Sequence, residues 1–125
     1  MNSEFDIAAA RKNLALATQR RREELRRLSL RAGDDANAIV RMVAEKYRPA
    51  RIWQWGSLVD EHAFSENSDI DIGIEGLGSA EAFFGLYGDA MKMTDLPLDI
   101  VELEKIEPEF ADLIRTKGRI VYERT

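Results

Sequence analysis

Three isoleucines alternate with acidic or small residues over residues 69–75, and this is the clearest pattern in the chain. Successive side chains of a β-strand point to opposite faces of a sheet. The alternation therefore predicts a strand that buries its isoleucines on one face. Asp69 and Asp71 then lie side by side on the other face.

Other short apolar segments predict further strands at residues 51–55, 98–103 and 119–122. The first of them contains Trp53 and Trp55, and aromatic side chains favour a half-buried, pleated surface. Glycine, proline and small polar residues separate these segments, as expected for turns and loops.

The N-terminal part of the chain is predicted to be helical. Residues 4–31 contain no glycine or proline and are rich in alanine, leucine, arginine and glutamate, a composition typical of helices. We expect Gly33 to end this helix. Asp34 or Asp35 would then cap a second helix that reaches about Tyr47.

Two more helices are predicted in the second half of the chain, over residues 79–94 and 108–117. Ser79 is a favourable N-cap, and Pro108 suits the first turn of a helix. Lys117 followed by glycine is a usual helix ending.

The predicted order is helix, helix, strand, loop, strand, helix, strand, helix, strand. This order indicates an α/β protein with a small sheet flanked by helices, although it leaves the order of strands in the sheet open. We assign residues 1–33 to an N-terminal helical extension and residues 34–125 to the domain that contains the sheet.

Length and composition narrow the possible classes of protein. The 125 residues suit one domain with a real core, and the absence of cysteine excludes disulfides and thiolate metal sites. No apolar segment approaches the roughly 20 residues needed to cross a bilayer, and the first residues do not resemble a signal peptide. We therefore expect a cytoplasmic protein without a membrane partner.

The net charge of −5 conceals an asymmetry between the two parts of the chain. Residues 1–51 contain 12 basic and 7 acidic residues, whereas residues 52–125 contain 6 and 16. The acidic part disfavours direct binding of nucleic acid and is compatible with Mg²⁺-dependent phosphate chemistry. The arginines of the first helix most simply form a solvated face, with a partner-binding or RNA-binding face as the alternative.

The aspartates of the predicted strands are the strongest candidates for chemistry. Asp69 and Asp71 share a face and repel each other unless a cation lies between them. Asp99 lies on the next strand and completes a three-carboxylate cluster if the two strands are neighbours. Such a cluster can hold two Mg²⁺ ions about 3.5–4 Å apart for displacement at phosphorus.

Gly56 and Ser57 follow the first strand and are candidates for binding phosphate. Glycine allows the backbone to approach a phosphate closely, and a following turn would direct its amides and the Ser57 hydroxyl at that phosphate. The chain contains no Gly-x-x-x-x-Gly-Lys-Ser/Thr sequence, so the site is not a P-loop.

Each of these features also has an ordinary structural interpretation. An isolated Asp-x-Asp is more often two solvated acids, and an isolated Gly-Ser is more often a turn, so the combination is what favours a site. His62, the single histidine, is expected to be a loop surface residue. Trp53 and Trp55 are expected to pack in the core, with base stacking by one of them as the alternative.

Taken together, Gly56-Ser57, Asp69-Ile70-Asp71 and Asp99 resemble the DNA polymerase beta-like nucleotidyltransferase superfamily. The likeness covers about residues 51–123 and is greatest to the minimal nucleotidyltransferases that act as antitoxins beside HEPN-domain toxins. It implies a polymerase beta-like palm fold whose site uses two Mg²⁺ ions and a nucleoside triphosphate, usually ATP. The family's metal-binding and catalytic aspartates correspond to Asp69, Asp71 and Asp99, and its triphosphate contacts to Gly56 and Ser57.

For the antitoxin branch, the resemblance implies transfer of AMP to a tyrosine of the cognate HEPN toxin. Many members carry basic residues just after Gly-Ser, whereas residues 58–61 here are Leu-Val-Asp-Glu. Two alternatives stay open: an antitoxin that neutralises its partner by binding alone, or a small-molecule nucleotidyltransferase.

The length of the first predicted helix suggests a role outside the catalytic domain. A helix over residues 4–31 would be about 42 Å long, which is longer than a small domain is wide. We expect an arm that binds a second copy of the chain or the toxin. The alternative is a hairpin with residues 35–47 of the same chain.

Overall fold

The computed structural model describes the backbone of residues 3–56 and 70–125 and the side chains of residues 6–56 and 70–125. Within these ranges it confirms the predicted α/β class, with a small sheet flanked by helices. The elements are α1 (Ser3–Lys46), β1 (Arg51–Gln54), β2 (Ile70–Glu75), α2 (Ala80–Met91), β3 (Leu98–Glu102), α3 (Pro108–Lys117) and β4 (Arg119–Glu123).

The four strands form one mixed sheet in the order β3-β2-β1-β4. β1 is antiparallel to both β2 and β4, whereas β2 and β3 are parallel. Ile52 of β1 pairs with Ile74 of β2, and Ile72 of β2 pairs with Ile100 of β3. The isoleucines of three adjacent strands therefore lie on one face of the sheet, which we call the isoleucine face.

The isoleucine face packs against α1 and α2 and contains the main core. Ile39 and Val43 of α1 and Leu86 of α2 are buried against it. Each fully buried aliphatic side chain of this size contributes roughly 1.5–3 kcal/mol relative to an exposed one. The alternation that predicted β2 is confirmed, because Ile70, Ile72 and Ile74 are all buried.

The opposite face, which we call the acid face, packs against α3 in a smaller cluster. The buried members of that cluster are Trp53, Trp55, Leu103, Ala111 and Ile114. A Cβ at Gly73 would lie 2.6 Å from the side chain of Leu103. Glycine in the middle of β2 therefore lets the chain between β3 and α3 approach the sheet closely.

The predicted break in the N-terminal helix is wrong, because α1 is one continuous helix through Gly33. A glycine inside a helix costs only about 1 kcal/mol relative to alanine, and buried Ala32 and Ala36 anchor the helix on both sides of it. Asp35 does not cap a second helix. Its carboxylate accepts a hydrogen bond from the Thr94 hydroxyl at 2.7 Å. The hairpin alternative is therefore also wrong.

The first part of α1 extends away from the sheet. The whole helix is about 66 Å long at 1.5 Å per residue, and every residue from 6 to 22 is exposed. We call residues 6–22 the arm. The division of the chain after residue 33 stays a prediction.

Among the described residues, no helix has the length and apolar composition needed to span a membrane.

The predicted ends of the other elements are close to those observed. Ser79 is the N-cap of α2 and accepts a hydrogen bond from the Ala82 amide at 3.1 Å. α2 ends at Met91 rather than at Thr94, because Thr94 instead accepts a hydrogen bond from the Leu96 amide. α3 spans Pro108–Lys117 as predicted.

Candidate active site

Asp71 and Asp99 lie directly opposite each other on the parallel strands β2 and β3. The isoleucines on either side of Asp71 are buried on the isoleucine face, so both aspartates belong to the acid face. The two aspartates are half-buried and line the same cavity. The sequence predicted a carboxylate cluster only if the strands of Asp71 and Asp99 were neighbours, and β2 and β3 are neighbours.

This pair has the right chemistry for a divalent cation. Carboxylate oxygens are the ligands that Mg²⁺ prefers, and the ion commonly uses one or two of them together with phosphate oxygens. Two carboxylates held in register by a sheet and open to one cavity fit that requirement.

Gly56 brings the end of β1 against Asp71. Its φ of +72° lies in the left-handed region, where residues with a Cβ are strained. A Cβ at this position would also overlap the Asp71 carboxylate. The adjacent Trp55 amide donates a hydrogen bond to the Asp71 carbonyl oxygen at 3.3 Å. Only glycine fits this position without rearrangement. Its predicted contact with phosphate stays a prediction.

Ser57 and Asp69 lie outside the described residues. The contact of Ser57 with phosphate and the third carboxylate of the cluster therefore stay predictions. His62 and residues 58–61 also lie outside the described residues.

The cavity beside the acid pair has a volume of about 390 Å³. Its remaining walls are mainly apolar and come from the end of β1 and from α3. The lining residues other than the two aspartates are Trp55, Gly56, Phe110, Leu113, Ile114 and Lys117.

The sequence identifies Phe110 and Leu113 only as apolar positions of a helix and does not indicate their place in the cavity. A signal was present, because Phe110, Leu113 and Lys117 follow the strand of Asp99 at intervals of three and four residues. Residues at that spacing share one face of a helix. Which element this face meets depends on the topology, and the sequence left the topology open.

Glu75, at the end of β2, positions the apolar cluster of the acid face. Its carboxylate accepts a hydrogen bond from the Trp53 indole nitrogen at 2.6 Å and lies 3.5 Å from the Arg115 guanidinium of α3. These contacts hold Trp53 away from the cavity, whereas Trp55 lines it. Of the two tryptophans considered for base stacking, Trp55 is therefore the one near the acids.

A separate charged cluster joins the end of α1 to α2. The Asp89 carboxylate accepts hydrogen bonds from the Lys46 ammonium at 2.7 Å and from the Tyr47 hydroxyl at 2.6 Å. These hydrogen bonds lower the pKa of Asp89 and raise the pKa values of Lys46 and Tyr47. None of the three residues lines the cavity. The cluster therefore stabilises the packing of α1 against α2.

A family model described as "Polymerase beta, Nucleotidyltransferase" matches residues 37–125. The chain belongs to this family. The match covers the whole sheet, α2, α3 and all the candidate site residues, and it confirms the resemblance seen in the sequence. Among curated proteins, no match is found.

Several solved structures share the fold of this nucleotidyltransferase chain. A toxin-antitoxin with AMP-PNP has a TM-score of 0.60 and 20% identity over 72% of this chain and 74% of that one. The toxin-antitoxin MntA-HepT has a TM-score of 0.54 and 20% identity, over 71% of this chain and 70% of that one. A third structure is a tri-AMPylated Shewanella oneidensis HEPN toxin in complex with MNT antitoxin. It has a TM-score of 0.55 and 18% identity, over 74% of this chain and 72% of that one. At these identities the likeness shows the fold.

Proposed function

We propose that this protein transfers AMP from ATP to a hydroxyl group of a partner protein, and that it is the antitoxin of a toxin–antitoxin pair. The observation that carries the proposal is the pairing of Asp71 with Asp99, next to the left-handed Gly56, in a member of the nucleotidyltransferase family.

The similar structures support the choice of partner. One is a tri-AMPylated HEPN toxin in complex with MNT antitoxin, and another is a toxin-antitoxin with the ATP analogue AMP-PNP. A HEPN-type toxin is therefore the proposed acceptor, and a tyrosine is the proposed position of its reacting hydroxyl.

Each candidate residue has a role in the proposed reaction. Asp69, Asp71 and Asp99 would hold two Mg²⁺ ions, which supply the positive charge that stabilises the phosphoryl group and the leaving pyrophosphate. Gly56 and Ser57 bind and orient the triphosphate. The acceptor oxygen forms a bond to the α-phosphorus, the bond from that phosphorus to the bridging oxygen breaks, and pyrophosphate leaves. Asp99 receives the proton of the acceptor hydroxyl.

A labelling experiment tests this reaction. The protein is incubated with Mg²⁺ and with ATP labelled at either the α- or the γ-phosphate. The product of the neighbouring gene is added as the candidate toxin and acceptor. We expect label from the α-phosphate, but not from the γ-phosphate, on the partner. Asp99→Asn should lower the rate roughly 10²- to 10⁴-fold. Asp95→Asn, at an exposed acid outside the cavity, should leave the rate unchanged.

Absence of labelling by any nucleotide with Mg²⁺ or Mn²⁺ would contradict the proposal. Binding without catalysis is then the second candidate, favoured by two acids at positions 60 and 61 where many family members are basic. A cell-rescue assay separates the two functions. If the double variant Asp71→Asn/Asp99→Asn still neutralises the toxin at native expression, binding suffices.

We also infer that the arm contacts a second copy of this chain. The arm is exposed throughout and presents Ile7, Leu14 and Leu16 to solvent. The arm contains 5 basic residues and 1 acidic residue, whereas residues 52–125 contain 6 and 16. Opposite charges of this kind favour a contact between the arm of one copy and the acidic part of another.

Deleting residues 1–22 tests this contact, because it removes the arm and leaves the buried part of α1 in place. Analytical ultracentrifugation should show a dimer for the full chain and a monomer for the shortened chain, which should still unfold in one cooperative transition. High salt should also dissociate the dimer of the full-length chain, because it screens the attraction between opposite charges. If the full chain is already monomeric and the deletion weakens only the complex with the toxin, the second-copy inference is wrong.

A further inference from the structure

We propose that the base of the nucleotide lies against Phe110 and Leu113 of α3, and that this subsite binds nucleotides with little regard to which base they carry. The proposal rests on the function proposed above, which assigns the triphosphate to Gly56 and the metal ions to the acids. It adds the position of the base and the class of nucleotides accepted.

The Phe110 ring is held on one side and open on the other. It stacks on the Trp55 ring, with centroids 5.6 Å apart and an angle of 27° between the planes. Trp55 is only 7% exposed, whereas Phe110 is 43% exposed and Leu113, one turn further along α3, is 54% exposed. Trp55 therefore acts as a positioning residue that fixes an aromatic surface facing the cavity.

That aromatic surface and the acid pair belong to one cavity. Its volume of about 390 Å³ lies in the range of roughly 300–1,000 Å³ that is usual for small-molecule sites. The base and the triphosphate are parts of one molecule, so the base must lie within the length of a ribose from the phosphates. The apolar wall formed by Phe110 and Leu113 is the part of the same cavity available for a flat, apolar ring.

The chemistry of this wall predicts weak selectivity among bases. Phe110, Leu113 and Ile114 have no side-chain hydrogen-bonding groups with which to recognise the edge of a base. Lys117, the last residue of α3 and also part of this wall, carries its ammonium on a flexible stem and acts as a point charge rather than as a directional contact to one base. The indole nitrogen of Trp55 is buried in the protein, so it is not exposed on the surface that faces the cavity. Stacking on an aromatic side chain is worth about 1–3 kcal/mol per base and tolerates every base, since each has a π-face.

Calorimetric titration tests the subsite without turnover. The ligands are Mg²⁺ complexes of α,β-methylene ATP, the matching GTP and CTP analogues, and tripolyphosphate, which has no base. Phe110→Ala should weaken binding of the ATP analogue roughly 5- to 150-fold and leave tripolyphosphate binding unchanged. Phe110→Tyr should restore the affinity, and the wild-type protein should bind the three nucleotide analogues within about tenfold of one another.

Phe84→Ala is the matched control, because Phe84 is 73% exposed on α2 and does not line the cavity. If Phe110→Ala binds the ATP analogue as well as the wild type does, the base subsite is wrong, while unchanged tripolyphosphate binding leaves the proposed function standing. A preference of more than 100-fold for one base would overturn the weak selectivity. If the wild type binds neither tripolyphosphate nor nucleotide with Mg²⁺, the proposed function fails together with the subsite.

Discussion

The two faces of the sheet are built from the same strands and differ in what their residues do. On the isoleucine face, β1, β2 and β3 present isoleucines that two helices cover. On the acid face, the alternate residues of the same strands include tryptophan, aspartate and glycine, and one short helix covers part of them. The first face is closed over its length, whereas the second leaves Asp71 and Asp99 at the edge of a cavity.

This difference shows how a small domain holds a charged site rigidly. Carboxylates next to each other repel, so a flexible segment would let them separate. Asp71 stays in place because Ile70 and Ile72, its neighbours on β2, are locked into the main core. A shift of one residue in register would exchange the two faces, and the isoleucine core prevents it. Stability and chemistry are therefore separable by mutation, one face at a time.

The largest effect on stability is expected on the isoleucine face. Ile72→Ala removes a fully buried side chain from the central strand β2 and should lower the free energy of unfolding by about 2–5 kcal/mol. Leu113→Ala, on the acid face and more than half exposed, should cost less than about 1 kcal/mol. Urea denaturation of both variants measures the contrast, and equal losses would show that the two faces do not differ as described.

A smaller effect is expected where the backbone of β1 meets Asp71. Gly56→Ala places a Cβ at a φ of +72° and against the Asp71 carboxylate, so it should cost about 1–2 kcal/mol and weaken binding of Mg²⁺-tripolyphosphate. Gly33→Ala is the matched control, since a Cβ there meets nothing within 4 Å. It should stabilise α1 by up to about 1 kcal/mol. Opposite signs for the two substitutions support the account, and an unperturbed Gly56→Ala variant would contradict it.

The smallest effect is expected from the charged cluster that joins α1 to α2. Hydrogen bonds from Lys46 and Tyr47 lower the pKa of Asp89 below its usual 3.8. A lowered pKa means that the contribution of Asp89 to stability is complete above the unfolded value and is lost as pH falls through the folded one. Thermal unfolding of Asp89→Asn should thus show a small loss at neutral pH that shrinks in acid. A loss that persists unchanged at pH 2 would contradict this origin.

The sequence was sufficient to predict the strands, α2, α3 and the division of the β2 residues between the two faces, because strand alternation and helix capping are local properties. It could not show that Asp71 and Asp99 are paired, since that depends on the strand order β3-β2-β1-β4. The cavity wall from α3 was missed for the same reason. The break expected at Gly33 failed for another reason, because packing of Ala32 and Ala36 against the core outweighs a local preference.

The central claim is that the acid face carries nucleotidyl transfer while the isoleucine face carries the fold. The most direct test measures both properties in Asp71→Asn, a substitution that keeps the shape of the side chain and removes its charge. We expect release of pyrophosphate from Mg²⁺-ATP, in the presence of the acceptor protein, to fall on the order of a thousandfold. The free energy of unfolding should stay within about 1 kcal/mol of the wild type. A variant that keeps its rate within a few-fold of the wild type would contradict the claim.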